Sequence, residues 1–376
     1  MTAADGMDAA SVRTRVIVAG SGDDAPAWAR AIRACEDVDV RTLAGVSSED
    51  VLNELADREL DAVVFASPSR AFLARDLAPM VKRAVVARKH VLVATGIADS
   101  HQLLLLDGLT RRRERTLLFD ACGLADSTLA FVRRMTRRDH PMRRPRHLRV
   151  LRSAPGHESI EDLALEALSR VLLLSGELPA RVSAYAPRFE DESGGPTLAG
   201  LTLTFPSGMS ARIEVSSLDP EPRDELTVIS DSRTITLDAL NDAAPLRTLS
   251  LVRRREPGRS HEHLGARLER MAGPERPRRE RVASAFIESV RAGQPVSNAR
   301  QFASAALTWE IARSSMERGG ELLSLPAHHP LVATPRPNLQ LIEGGGNTIE
   351  ASEAPRLRVV QGGRRPMPVA PPPRSA

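Results

Sequence analysis

Along its first 120 residues the chain alternates short, continuous apolar runs with amphipathic stretches. Residues 14–21 (TRVIVAGS) form an apolar run ending in Gly20-Ser21, the pattern of a strand buried on both faces of a parallel sheet. A helix is expected over Ala25 to Cys35, with Pro26 suited to its first turn, where a missing N–H costs nothing. A second strand follows at residues 38–44. Ser48 to Leu60 reads as a helix, with Ser48 as cap and Val51, Leu52 and Leu55 on one face. Asp61 to Ser67 is a third strand, stopped by Pro68. A helix over residues 71–88, a strand from His90 to Ala94, a helix over residues 99–113 and a strand from Thr116 to Asp120 continue the alternation. Such regular alternation implies a parallel sheet with helices on both faces. Right-handed crossovers then bring the C-terminal ends of the strands, and any ligand, to one edge.

Near residue 146 the pattern changes. His147 to Arg152 is a strand, and Ile160 to Leu174 is a strongly apolar helix. Strand-length runs then follow one another without helices between them: 181–186, 198–205, 210–217, 225–229, 234–238 and 247–252. Pro206-Ser207-Gly208 reads as the turn of a hairpin. The second unit is therefore α+β with a mostly antiparallel sheet, closed by helices over residues 279–291 and 299–318. The expected division is a disordered N-terminus (1–13), an α/β domain (14–145), an α+β domain (146–326) and a Pro- and Gly-rich disordered tail (327–376).

Composition narrows the functions. Aromatic residues make up only 3% of the chain, which leaves few stacking platforms for single-stranded nucleic acid. The net charge of +4 is mild for 376 residues and does not itself call for a polyanionic partner. The two cysteines, Cys35 and Cys122, lack ligand or disulfide spacing, so no metal is expected. The N-terminus lacks an apolar core of the signal-peptide kind, and no stretch reaches the roughly 18 apolar residues of a membrane span. A soluble, cytoplasmic protein is expected.

The candidate chemistry starts at Val18-Ala19-Gly20-Ser21-Gly22-Asp23-Asp24-Ala25, between a strand and a helix. Gly20, Gly22 and Ala25 fit the three small positions of a dinucleotide loop: a tight turn, a close backbone approach to pyrophosphate, and helix–strand packing. NAD or NADP is the implied cofactor, with Gly20, Ser21, Gly22, Ala25, Ser67 and Pro68 as its binding residues. Asp23 and Asp24 place negative charge beside the phosphate position unless they cap the helix. The end of the second strand (Leu43-Ala44-Gly45-Val46) carries no carboxylate for ribose hydroxyls, and Arg41 lies early in that strand.

Four stretches, in this order and spacing, resemble the glucose–fructose oxidoreductase / inositol dehydrogenase / MocA (Gfo/Idh/MocA) family over roughly residues 14–325. They are Leu60-Asp-Ala-Val-Val-Phe-Ala-Ser-Pro68, Ala87-Arg-Lys-His-Val-Leu-Val93, Leu201 to Ala211, and Ala299 to Leu325. The resemblance implies a Rossmann domain followed by an α+β domain that oligomerises through its sheet. It also implies hydride transfer between a nicotinamide and a sugar or cyclitol hydroxyl carbon. The family's proton-handling groups are replaced. Ala94-Thr95-Gly96 stands where Glu-Lys-Pro is usual, and Asp162-Leu-Ala-Leu-Glu166-Ala-Leu-Ser169 matches the family's Asp-x-Gly-x-His-x-x-Asp only at Asp162. Phe72 lies where a further histidine is usual. Thr95, Asp162 and Glu166 are the family-equivalent catalytic positions, and Asp162 and Glu166, four apart, share a helix face with His157 and Glu158 nearby.

The sharpest charge feature is arginine at 133, 134, 137, 138, 143, 144, 146 and 149, with His140, His147, Pro141 and Pro145. A second group, Arg253 to Arg255 with Arg276, Arg278 and Arg279, reads as a solvated loop. Three functions follow: an NAD(P)-dependent oxidoreductase with an altered site, acting on a sugar or nucleotide sugar; a non-catalytic scaffold or metabolite-binding regulator; and a polyanion binder using residues 133–149.

Overall fold

Strands that are apolar and buried along almost their whole length must lie between layers, and β1 (Thr14–Gly20), β3 (Ala62–Phe65), β4 (His90–Val93) and β5 (Leu117–Phe119) are of this kind. The computed structural model describes residues 13–20, 22–45, 47–66, 77–94, 96–120, 127–136, 145–155, 159–187, 196–231, 233–241, 245–255, 262–271 and 277–333. With β2 (Val38–Ala44), these strands make a five-stranded, all-parallel sheet in the order β2-β1-β3-β4-β5. Its helices are α1 (Asp24–Arg33), α2 (Ser48–Leu55), α3 (Leu77–Val86) and α4 (Ser100–Arg113).

Two local details differ from the sequence reading. The cap of α2 is Ser47, not Ser48: its hydroxyl accepts the Asp50 N–H at 3.2 Å, and the Asp50 carboxylate accepts the Ser47 N–H at 2.9 Å. The helix also ends at Leu55 rather than Leu60. Beyond it, the carbonyls of Asp57 and Leu60 are turned to the buried Lys89 ammonium, which donates to both.

After α5 (Ser127–Met135), the second sheet holds nine strands in the order β13-β12-β11-β10-β6-β9-β8-β7-β14. They are β6 (His147–Ser153), β7 (Arg181–Tyr185), β8 (Leu198–Thr204), β9 (Ser210–Ser216), β10 (Arg223–Ile229), β11 (Arg233–Asp238), β12 (Leu246–Arg255), β13 (Glu262–Met271) and β14 (Leu323–Ser324). All pairings are antiparallel except β6 with β9, and Gly208, at φ +81°, makes the β8–β9 turn. Its apolar face packs on α6 (Ile160–Ser175) and α8 (Ala299–Glu317); its other face alternates to polar residues. α9 (Pro330–Ala333) follows β14.

Helix α7 (Arg278–Arg291) does not close the second sheet, as its place in the chain suggested. Val282, Ala283, Phe286 and Ile287 pack with Trp28, Ala29 and Ile32 of α1 and with Val16, Val18 and Val64 of the first sheet. The opposite face of that sheet shares one continuous apolar cluster with α6, α8 and the second sheet. The two sheets therefore meet across a buried seam, and helix α6 lies in it.

Candidate functional site

Strand β1 pairs with β2 on one side and β3 on the other, so the chain leaves the sheet in opposite directions at the C-terminal ends of β1 and β3. This is the switch point where open α/β sheets leave a ligand crevice. Gly20 ends β1, and a Cβ built there would lie 2.8 Å from the Ala66 Cβ and 3.3 Å from its backbone. Only glycine permits so close an approach. Gly22 follows at φ +61° with open space around it, and α1 begins two residues later with Ala25 buried. The first N–H groups of α1 have no intrahelical acceptor and face this crevice. Gly20, Gly22 and Ala25 are thus brought together; Ser21, Ser67 and Pro68 lie outside the described residues.

Neither aspartate caps the helix with its side chain. Asp23 is the N-cap residue without a side-chain cap bond. Asp24 pairs with Arg279 at 2.5 Å, and the Arg279 guanidinium lies 5.9 Å from the Trp28 ring centroid. The first turn of α7 thus brings a cation beside the loop that offsets one of the two carboxylates. At the end of β2, Ala44 and Gly45 are exposed and Gly45 adopts φ +68°. Arg41 is engaged with Glu54 at 2.8 Å.

The second centre lies on α6. Ser159 caps it, accepting the Asp162 N–H at 3.1 Å and donating to the Asp162 carboxylate at 2.7 Å, so Asp162 belongs to the helix-start box. Glu166, one turn on, faces elsewhere. It receives Arg278 at 2.8 Å, Arg170 at 2.9 Å and also Arg152. Arg170 holds Asp224 on β10 through both terminal nitrogens, Nη2 at 2.9 Å and also Nη1, and Arg278 lies 3.4 Å from Asp120 at the end of β5. Three guanidinium groups and three carboxylates, drawn from β5, β6, α6, β10 and α7, therefore cluster in the seam. Burial would raise the Glu166 carboxyl, but Arg152, Arg278 and Arg170 outweigh it and hold it well below the usual carboxylate range. Burial likewise opposes ionisation of Asp224, which Arg170 overcomes. Asp120 goes the other way: burial raises it, and Arg278 only partly offsets this.

Thr95, His157 and Glu158 lie outside the described residues. Beside Thr95, a Cβ on Gly96 would meet Leu165 of α6 at 2.9 Å and Phe302 of α8 at 3.0 Å, and Phe302 stacks on Phe119 at 5.1 Å. The chain after β4 is therefore packed directly against apolar side chains of the seam. Arg152, Arg170, Asp224, Asp120 and Arg278 were not singled out in the sequence as site residues. The one local signal was the Glu166–Arg170 spacing within an otherwise apolar helix. Arg278 and Arg279 do not belong to a solvated loop; both are ion-paired at the start of α7.

Ser100, His329 and Glu310 also cluster, but their protons run the wrong way for a nucleophilic triad. His329 Nδ1 accepts the Leu331 N–H at 3.3 Å, so Nε2 carries the proton toward Ser100 Oγ at 3.2 Å, and Ser100 donates to Glu310 at 3.1 Å. Of the arginine-rich segment, residues 137–144 lie outside the described residues. Arg134 packs over Phe131, Arg146 pairs with Asp231 at 3.0 Å, and Arg149 is exposed on β6. No helix among the described residues is long and apolar enough to cross a membrane.

No family model and no curated protein matches the chain. Solved structures do. The UDP-N-acetylglucosamine 3-dehydrogenase GnnA from Acidithiobacillus ferrooxidans matches with a TM-score of 0.66 at 20% identity, over 81% of this chain and 98% of that one. An NAD-binding oxidoreductase from Klebsiella pneumoniae matches with a TM-score of 0.64 at 14% identity, over 84% and 100% of the two chains. An NAD-binding protein from Listeria innocua does so with a TM-score of 0.64 at 15% identity, over 83% and 99%. At such identities the likeness establishes the fold, a Rossmann domain with an α+β partner, over nearly the full length of these proteins.

Proposed function

We propose that this chain is a divergent Gfo/Idh/MocA-type protein that retains a nicotinamide-dinucleotide crevice and has exchanged the proton-handling centre for an interdomain salt-bridge cluster. It then acts as a cofactor- or metabolite-binding protein rather than as a hydride-transfer enzyme of the usual kind. The observation that carries this reading is the state of Glu166. At the position matching the family's histidine stands a carboxylate ionised at neutral pH and engaged by Arg152, Arg170 and Arg278. It holds no proton to donate, and its low basicity makes it a poor acceptor.

The crevice fits the cofactor's diphosphate. Gly20 allows the close approach, Gly22 leaves space, the α1 N-terminus favours an anion, and Arg279 neutralises Asp24, so Asp23 is the carboxylate that remains opposed to it. A bound nicotinamide would supply the hydride acceptor or donor. Without a carboxylate at the end of β2 the ribose is held less firmly, so affinity is expected to be modest. Homo-oligomerisation through the outer face of the second sheet is part of the same reading: Ile229, Leu249 and Leu268, aligned across β10 to β13, are exposed there.

A second reading, an active oxidoreductase on a sugar or nucleotide-sugar hydroxyl, is favoured by the dehydrogenases of this fold, one of them acting on a UDP-sugar. Titration with NADH and NADPH, followed by cofactor fluorescence and thermal stabilisation, separates the outcomes. Micromolar binding without turnover on a panel of sugars, cyclitols and UDP-sugars supports the proposal. Turnover establishes the second reading instead. No binding at millimolar cofactor removes the dinucleotide from both.

A further inference from the structure

The opposite edge of the first sheet, where its strands begin, holds a second cavity. It lies about 20 Å from the dinucleotide crevice along β1, at roughly 3.3 Å per residue. An open pocket of about 490 Å³ is lined by Arg58, Asp61, Arg88, Lys89, His90 and Arg115, among others. The C-terminal ends of α2, α3 and α4 border it, and two of the cations serve backbone carbonyls there. Lys89 donates to Leu60 O at 2.7 Å and to Asp57 O; Arg115 donates to Arg88 O at 2.6 Å and to Glu114 O at 3.1 Å. The guanidinium groups of Arg58 and Arg88 are exposed and make no hydrogen bond or ion pair among the described residues. Asp61 is the single carboxylate of the lining, and one of its oxygens accepts the Arg15 N–H at 2.8 Å. His90 is neutral near pH 7: burial, then Arg115, lowers it to about 4. Four cations thus share the lining with one carboxylate, and Asp57, just outside it, also acts on Lys89.

Arg88 sits at φ +62° because it ends α3: its N–H bonds Val85 O at 3.1 Å and the Lys89 N–H bonds Ala84 O at 2.9 Å, a left-handed helix stop that glycine fills without strain. The same turn delivers Arg88 and Lys89 to the lining of the pocket.

We propose that this pocket binds a small phosphate-bearing metabolite, gripped by Arg58 and Arg88 and drawn in by Lys89 and Arg115. Two free guanidinium groups beside buried positive charge suit the two-pronged recognition of a phosphate dianion. The site is separate from the crevice at Gly20, and the proposal does not depend on dinucleotide binding.

The test is thermal unfolding of the full chain in sodium phosphate against sodium chloride at matched ionic strength, for the wild type, Arg88→Gly and Arg58→Ser. The wild type is expected to gain about 5 °C at a hundredfold excess of phosphate over Kd, saturably. Arg88→Gly relieves the strain, so it is expected to melt no lower than the wild type in chloride while losing the phosphate response. Arg58→Ser is expected to weaken the response. Equal responses in all three proteins, or a wild-type response no larger than that to chloride, would overturn the proposal. So would its disappearance in saturating NADH, which would put the phosphate at the β1–α1 loop.

Discussion

Replacing Glu166 with glutamine keeps the shape of the side chain and removes its charge, so it isolates the ionic role of the seam. In the wild type, Glu166, Asp224 and Asp120 face Arg152, Arg170 and Arg278, three charges against three. Glu166 is the one carboxylate that touches all three arginines. The side chains of Arg152 and Arg170 are only 11% and 4% exposed, so water cannot substitute for the lost anion. Breaking a buried pair by removing one partner costs about 3–5 kcal/mol. For a chain of this size that lowers Tm by roughly 6–10 °C, at about 2 °C per kcal/mol. The control is Glu161→Gln on the same helix. Glu161 is 40% exposed and meets Trp309 Nε1 at 3.0 Å and Arg313 at 3.7 Å, so its loss is expected to cost about 1 kcal/mol or less. Urea unfolding and calorimetry at pH 7 measure both. A pH series adds a sign. Folded-state values of Glu166 and Asp224 are lowered, so their stabilisation is present above the unfolded carboxylate range, near pH 4, and is lost as pH falls through the folded values. Asp120 is raised, so its contribution is lost in the opposite direction, as pH rises through its folded value. Acid destabilisation should therefore be weaker in Glu166→Gln than in the wild type. A loss indistinguishable from that of Glu161→Gln, with an unchanged acid limb, would refute the assignment of Glu166 as the anchor of the seam.

Two further outcomes test the first domain. Gly20→Ala forces a methyl group to 2.8 Å from the Ala66 Cβ and 3.3 Å from backbone atoms that cannot rotate away. It is expected to cost about 1–3 kcal/mol in urea unfolding and to weaken NADH binding in a fluorescence titration. Buried His90 accepts the Thr116 N–H at 3.1 Å through Nδ1 and titrates at about 4 when folded. Its stabilisation is present above pH 6.5 and is lost as pH falls from 6.5 through 4, up to about 3 kcal/mol. Urea midpoints at pH 7.5, 5.5 and 4.5 should fall more steeply for the wild type than for His90→Gln, which cannot charge.

Four strands of the first sheet were legible because strands buried on both faces are apolar along almost their whole length; β2 (VDVRTLA), at the edge, alternates instead. The second sheet was legible from its alternation, with two exceptions, β13 and the two-residue β14. Strand β13 (EHLGARLERM) carries charge at four of its ten positions, and its long pairing with β12 is what defines it as a strand. For α7 the sequence showed an apolar face in Val282, Phe286 and Ile287 but not what that face covers. The answer, Trp28 and Ile32, lies some 250 residues earlier. The site divides the same way. The loop at Gly20 and Gly22 is local and was readable. The partners of Glu166 come from β6, β10 and α7, and nothing in the spacing of residues 162–169 announces Arg152 or Arg278. The charges at Asp23 and Asp24 were visible, but Arg279, which offsets one of them, is brought there only by the packing of α7.

The seam also bears on whether, on the reading proposed above, hydride-transfer chemistry could be installed by introducing the residues usual in Gfo/Idh/MocA proteins. Glu166→His puts a fourth cation-former beside Arg152, Arg170 and Arg278 in place of the anion that holds them. Like charges and burial both oppose protonation of that imidazole, so it would stay neutral near pH 7, and three guanidinium groups, two of them largely buried, would share the two remaining carboxylates. Glu166→His should therefore be at least as destabilised as Glu166→Gln. The packing just after Thr95 is close: a Cβ on Gly96 would meet Leu165 at 2.9 Å and Phe302 at 3.0 Å. The double variant Thr95→Lys, Glu166→His is expected to show no NAD(P)-dependent turnover on sugars, cyclitols or UDP-sugars, even where the wild type binds cofactor. Measurable turnover by that double variant would mean that the salt bridges are a readily displaced filling rather than a rebuilt core. The protein would then be two substitutions away from an oxidoreductase rather than committed to another use of the same crevice.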